Sequence, residues 1–360
     1  MPSRRDFVKT VAGATAGTVA FGGSSFGAAT LFGQAAPPRR QVSINGRRVR
    51  VIDIHAHCAV DVRAITKGTA LDGQGGAGGN QQIGPARIAW MDKIGTDMQV
   101  LSINGYWWYA ADRDLAAKIV QAQNEGLQKI VAANPDRFVA LASVALQHPD
   151  LAAQQLETAV KTMGMRGASI GGHNNEDLSL PKYDPFWARA AELGVPCFIH
   201  PGGADNILKP DALDGRGDLG NIIGNPLETT YFLSRLIFDG TFDKHPNLRI
   251  IAAHGGGYLP SYLGRTDVAC KVRNNANCAN TQDPRTYFRR QILADSMVFT
   301  DEALRHLYNE MGASQLVYGT DIPFNWPDTL DVILNASWMN DADKEAILGG
   351  NLMKMLRITS

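Results

Sequence analysis

The chain has 360 residues, 44% of them hydrophobic and 19% charged, and its formal net charge is zero. That is an ordinary globular composition, long enough for one large domain with a full core. Balanced charge argues against nucleic-acid binding, and no run of 18 strongly apolar residues in the body of the chain makes a permanent membrane span.

The first 36 residues read as an address rather than as structure. Arg4 and Arg5 stand in S-R-R-x-F-x-K with Phe7 and Lys9. A weakly apolar Ala/Gly-rich run follows, and "GQAAPP" offers small residues for cleavage near Ala35 or Ala36. The arrangement resembles a twin-arginine (Tat) signal peptide. It implies a periplasmic or secreted protein, delivered folded to the Tat export machinery, and it leaves residues 37–360 as a single domain.

Eight apolar runs come next: 49–57, 98–105, 137–146, 165–171, 195–200, 248–256, 291–299 and 315–321. Most are continuous rather than alternating, as expected of parallel strands covered on both faces. Helical patterns lie between them. Residues 113–134 show helical spacing and end before Pro135, 150–164 run from Asp150 to Gly164, and 184–194 from Asp-Pro to Gly194. Strands alternating with helices predict an α/β fold, the (β/α)8 TIM barrel. A doubly wound open sheet is the alternative, but no glycine-rich fingerprint follows the first strand. The loop LDGQGGAGGNQQIG, 71–84, is expected at the barrel mouth.

His55 and His57 end the first strand, His200 the fifth, His254 the sixth and Asp321 the eighth. In a barrel these ends share one face, where active sites are built. Residues two apart on a strand point the same way, so both first-strand imidazoles face the axis. A lone histidine at a strand end is ordinarily a hydrogen-bonded core residue. Five polar residues on one rim point to a metal site. His55, His57, His200 and Asp321 make a three-His, one-carboxylate set for one divalent ion, Zn2+ first and Mn2+ as the alternative, with a position open for water. Asp321 is able to ligate with one oxygen and hold a water proton with the other, and His254 is placed as a proton shuttle.

Other residues carry weaker signals. His173 and Trp326 are candidates to touch substrate. Trp107 and Trp108 read equally as substrate wall or as packing, Asp295 as site or structure, and Glu228 as a capping or pairing group. Cys270 and Cys278 bracket "KVRNNAN" and are able to bridge in an oxidising compartment; Cys58 and Cys197 read as small buried residues.

The segments "DIHAH", "IGGHNN", "PFWARAAELGVPCFIHP", "NPLETTYFLSRLIFDGTFDKHPNLRIIAAHGGGYLPSYLGR" and "LVYGTDIPF" are similar to the aminocarboxymuconate-semialdehyde decarboxylase group of the amidohydrolase superfamily. The likeness runs from about residue 51 to 357. It implies the barrel fold, His55, His57, His200 and Asp321 as metal ligands, and His254 as general acid/base. It implies that Arg265 and Arg273 bind the carboxylate of a small-molecule substrate, often across a homodimer interface. The chain departs from the group at "HPGG", 200–203, where an aromatic residue is expected after His-Pro. The leading expectation is a metal-dependent non-oxidative decarboxylase of an aromatic or unsaturated carboxylic acid. A hydrolase of a small lactone, ester or C–C bond is second, and a non-catalytic periplasmic metal- or ligand-binding protein third.

Overall fold

Ile52–His57 (β1) is a strand buried along its whole length, with Asp53, His55 and His57 interleaved with Ile52, Ile54 and Ala56. The computed structural model describes residues 38–359 except 80, 106 and 173–175. Residues 1–36, where an export signal is expected, and His173 lie outside the described residues. The seven strands that follow β1 are Met98–Ser102 (β2), Phe138–Ala140 (β3), Ala168–Gly171 (β4), Pro196–His200 (β5), Arg249–Ala252 (β6), Ile292–Asp295 (β7) and Leu316–Val317 (β8). Each falls inside one of the eight predicted runs. All are paired in parallel, β1 to β3 in one ladder and β4 to β8 in another.

Two short seams close these ladders into a barrel. Past β3, Ala142 bridges Ala168, with Ala142 N–H donating to Gly167 O at 2.8 Å and Ser169 N–H to Ala142 O at 2.9 Å. Between β8 and β1, Ala56 bridges Ile322, with Ile54 N–H donating to Tyr318 O at 3.0 Å and His57 N–H to Ile322 O at 2.9 Å. A closed sheet has no edge left to aggregate.

The helices fall where the sequence pattern places them, within a residue or two at their ends. Arg113–Ala133 follows β2 and starts at Asp112, whose carboxylate accepts Leu115 N–H at 2.9 Å. Pro149–Thr162 follows β3 and opens on its proline. Asp184–Leu193 follows β4 and stops at Gly194 in the left-handed conformation. The strands then bury two faces. Ile54, Val100, Leu141, Phe198, Ile251, Leu293 and Val317 fill the barrel interior. Cys197, Ile199, Ile250 and Ile292 face outward to Phe186, Trp187 and Phe232 on the surrounding helices. The rim above the interior layer is where the polar residues gather.

The strands are shorter than their runs. The last ladder position of β6 is Ala252, and His254 falls in a tight turn, His254–Gly256, beyond it. Asp321 likewise lies past the end of β8. The backbone leaves the ladder there because both residues are left-handed, φ +55° at His254 and +58° at Asp321. Cys270 and Cys278 form a disulfide with Cα atoms 6.0 Å apart, and Cys58 and Cys197 are free and buried.

Trp187 is fully buried and donates its indole N–H to Leu178 O at 2.8 Å. Trp187→Ala should lower the free energy of unfolding by roughly 3–5 kcal/mol, read from urea denaturation. A loss below 1 kcal/mol would show that the helix layer does not depend on this side chain.

Candidate metal centre

The first strand does not alternate cleanly. Ile52 pairs with Met98 and Asp53 with Gln99, but Ala56 pairs with Leu101 and His57 with Ser102. One extra residue therefore sits on β1 between Asp53 and Ala56, a bulge. Ile54 belongs to the interior cluster while Ala56 joins Leu101 in an outer one. The bulge lets His55 face inward beside Ile54, with its ring 5.1 Å from that of Phe198. His57 then faces inward too. His200 ends β5, and Asp321 reaches back over β1 from beyond β8.

Four ligand atoms converge, one each from His55, His57, His200 and Asp321, all within 4.8 Å of one another. Asp321 Oδ1 lies 3.0 Å from His55 Nε2, 2.9 Å from His57 Nε2 and 4.0 Å from His200 Nε2. His57 Nε2 and His200 Nε2 face each other at 3.1 Å. Ligands held about 2.1 Å from one ion lie roughly 3–4 Å apart, so the spacing fits. His55 Nε2 and Asp321 Oδ1 are buried and have no hydrogen-bond partner among the described residues. Buried polar atoms are rarely left so. A cation at their centre satisfies both.

Tautomers are fixed from behind. His55 Nδ1 sits 2.7 Å from Asp295 Oδ2, and His200 Nδ1 2.8 Å from Pro201 O. Both partners accept, so each Nδ1 carries its proton and turns the Nε2 lone pair inward. Burial opposes charge on His55, yet Asp321 and Asp295 outweigh it and push the ring up to about 10. Burial brings His57 down to about 4 and holds His200 well below the usual histidine range. Against its own burial, Asp321 is held well below the carboxylate range by His55, His254 and His57. The centre thus keeps an ionised carboxylate and inward lone pairs on His57 and His200, and a divalent cation would displace the proton that Asp321 and Asp295 favour on His55.

His254 stands at the mouth, its Nε2 3.7 Å from Asp321 Oδ2, the oxygen not turned toward the three ligand imidazoles. Asp295 holds it there by accepting His254 N–H at 3.1 Å and Gly255 N–H at 2.9 Å. A family model described as amidohydrolase matches residues 52–358. The chain belongs to this family. A 2-amino-3-carboxymuconate-6-semialdehyde decarboxylase of Dictyostelium discoideum is 32% identical over 279 residues, 75% of each chain. A gamma-resorcylate decarboxylase of Rhizobium radiobacter is 31% identical over 292 residues, 76% of this chain and 86% of that one. A crystal structure of a dihydroxybenzoic acid decarboxylase from Polaromonas sp. JS666, with bound manganese and the inhibitor 2-nitroresorcinol, superposes with TM-score 0.74 at 27% identity. It covers 86% of this chain and 97% of that one.

The other candidates separate on this amidohydrolase frame. Asp295 is fully buried behind His55, and Glu228 is a support, accepting Gly202 N–H at 2.8 Å just past His200. Trp107 packs beside His200, ring centroids 6.3 Å apart. A Cβ added at Gly202 would lie 3.5 Å from Trp107 Cζ3, in ordinary contact with the indole. Trp107 is thus the aromatic side chain beside "HPGG". Trp108 is buried in a peripheral cluster with Val62 and Ile119. Trp326 stacks on Phe299 and lines an adjoining cavity, not the metal cavity. Arg265 and Arg273 are exposed and do not line the metal cavity either.

Two contributors escaped the sequence reading. Phe324, three residues past Asp321, packs edge-on against His57 with centroids 5.0 Å apart. Asp53 is fully buried on the outer face of β1, where Thr320 Oγ1 donates to it at 2.7 Å and Gln99 Nε2 at 2.9 Å. The "DIHAH" motif contained Asp53, but nothing in its spacing gave it a partner.

Asp295→Asn would place an amide N–H or a weaker acceptor against His55 Nδ1 and release the tautomer. Metal affinity should fall roughly 10–100-fold, measured by competition with a chelating dye. An unchanged dissociation constant would remove Asp295 from ligand orientation.

Proposed function

We propose that this amidohydrolase is a metal-dependent non-oxidative decarboxylase of an aromatic carboxylic acid. The cage of three imidazole nitrogens and one carboxylate oxygen, with His254 beside its free oxygen, carries that reading. The matched relatives are decarboxylases and agree with it. Imidazoles suit Zn2+ and a carboxylate suits Mn2+. We take Zn2+ as the resident ion and Mn2+, present in the Polaromonas structure, as the alternative. When bound, such an ion supplies a Lewis acid toward the oxygens of the substrate.

The protein's own groups handle the proton. His254 Nε2 and Asp321 Oδ2 face each other across 3.7 Å, and a proton held between them is available to the ring. The ring carbon bearing the carboxylate takes that proton. The bond to the carboxylate carbon then breaks, its electron pair returns to the ring, and CO2 leaves. Phe324 and Trp107 stiffen the walls beside His57 and His200. A nitro group has the shape of a carboxylate but cannot leave as CO2, so 2-nitroresorcinol is an unreactive stand-in for a dihydroxybenzoate.

Two further readings accompany this one. Export by the twin-arginine route is supported by the S-R-R-x-F-x-K sequence and by the Cys270–Cys278 disulfide, which belongs to an oxidising compartment. A homodimer is supported by exposed apolar side chains at Ile222, Ile223, Tyr262, Val268 and Val272. Val268 and Val272 lie four apart on the helix Leu263–Val272, so they share a face.

His254→Ala should retain one metal per chain by plasma mass spectrometry and lose at least 100-fold in CO2 release; normal turnover would remove His254 from proton transfer. Replacing Arg4 and Arg5 together by lysine should leave the protein in the cytoplasmic fraction. Undiminished export of that variant would rule out the twin-arginine route.

A further inference from the structure

The cavity above the cage, about 240 Å³, has His200, Pro201 and Gly202 along one wall and Gln81, Asn221 and Asn225 along another. The first wall rests on a buried acid. Glu228 is 2% exposed and stands in the first turn of the helix Asn225–Phe238, which follows a π-turn, Gly220–Gly224. We infer that Glu228 is a positioning residue of the metal centre: its carboxylate pins the Pro201–Gly202 peptide and, through that peptide, turns His200 toward the ion. The inference concerns the cage alone and does not rest on the decarboxylase reading.

Both contacts fall on one amide. Pro201 O accepts from His200 Nδ1 at 2.8 Å, and Gly202 N–H donates to Glu228 Oε2 at 2.8 Å. This peptide bond is trans. In a trans peptide the C=O and N–H are coplanar and point opposite ways. Holding the N–H toward Glu228 therefore holds the carbonyl toward His200. The ring then keeps its proton on Nδ1 and its Nε2 lone pair in the cage. His55 meets its carboxylate, Asp295, directly at 2.7 Å, whereas His200 meets Glu228 across one amide.

The local sequence makes the pin necessary. Pro201 fixes its own φ, but Gly202 follows it, and Gly203 after that stands at φ +109°, where side chains are rare. Two glycines leave the amide before them free to rotate. A flip would carry Pro201 O away from Nδ1 and let the imidazole turn. The chain also reserves space for the acid. A Cβ added at Gly172, just past β4, would lie 3.1 Å from Glu228 Oε1, tighter than side chains ordinarily pack. The charge itself matters. The start of a helix favours a carboxylate, and a carboxylate holds an N–H more strongly than a neutral acceptor does. An anion at one end of the amide polarises its carbonyl, which strengthens the hold on Nδ1 at the other.

The test is Zn2+ affinity, by competition with a chelating dye, on the full-length chain stripped of metal and reloaded. The visible absorption of the Co2+ form reports ligand geometry alongside it. Glu228→Ala should weaken Zn2+ binding roughly 10–100-fold, as for other outer partners of metal-bound histidines, and shift the Co2+ bands. Glu228→Gln keeps the shape without the charge and should weaken Zn2+ binding about 3–10-fold. Gly202 is not left-handed, and a Cβ there would make only ordinary contacts, so alanine fits and narrows the freedom of the amide. Adding Gly202→Ala to Glu228→Ala should therefore recover roughly 2–5-fold in affinity, which a purely structural Glu228 would not allow. Wild-type affinity and Co2+ bands in Glu228→Ala, wild-type affinity in Glu228→Gln, a double variant no better than Glu228→Ala, or a wild-type chain that takes up no Zn2+ would overturn the inference. The glutamine variant decides the matter where the alanine variant does not fold. No substrate is present, so failure of the decarboxylase reading leaves these results unchanged.

Discussion

The metal centre depends on one buried anion. Asp295 accepts from His55 Nδ1, from His254 N–H and Gly255 N–H, and from Met297 N–H at 3.2 Å. These donors come from β1, from the turn after β6 and from its own strand end. Burial alone would raise a carboxyl here, but the His55 hydrogen bond and charge bring it below its ordinary value. One group therefore sets a ligand's tautomer and the shuttle's backbone together. Space for it is made by Gly319, where a Cβ would lie 3.0 Å from Asp295 Cβ and 3.1 Å from His55 Cβ.

A second buried carboxyl does corresponding work on the other side of the strand. The seam between β8 and β1 has few ladder bonds, yet it must align Asp321 with His55 and His57. Asp53 spans it, accepting Thr320 N–H at 3.1 Å as well as the Thr320 hydroxyl, and His55 N–H at 2.9 Å. Gln99 links Asp53 to Arg87, whose guanidinium donates to His57 O at 2.8 Å. Both first-strand histidines and the residue before Asp321 are thus tied to one polar network in the outer layer. Burial raises the Asp53 carboxyl, and the Thr320 hydroxyl, the His55 N–H and Gln99 pull against it. That makes the seam firm in the folded protein without a long ladder.

The architecture was legible because its signal is repetitive. Eight apolar runs separated by capped helices leave few alternatives to a barrel, and each run contains its strand. The ligand residues were legible because histidine and aspartate at apolar strand ends are conspicuous. What stayed hidden depended on position rather than residue type. The β1 bulge is invisible in "VIDIHAH", since alternation alone would also put His55 and His57 on one side. Asp53 and Phe324 carry no motif spacing. Asn221 and Asn225 come to the cavity through a π-turn that no propensity announces. Trp326 sits close to Asp321 in sequence but turns to Phe299, while Trp107, distant in sequence from any ligand, packs beside His200.

The site exists where the fold breaks its own rules. Regular strands project side chains in alternation and cannot by themselves bring five polar groups to one point. Three departures accomplish that: the bulge at β1, and left-handed residues at His254 and Asp321. A left-handed residue other than glycine costs on the order of 1–3 kcal/mol and persists only where its surroundings over-determine it. Here Asp295 holds the first through two N–H bonds, and Asp53 holds the second through Thr320. The walls obey a different logic. Gln81 and the Asn221–Asn225 pair stand on a loop and at a helix start, with no bond to the cage. They are free to change without disturbing the ligands, while the two buried carboxylates stay fixed.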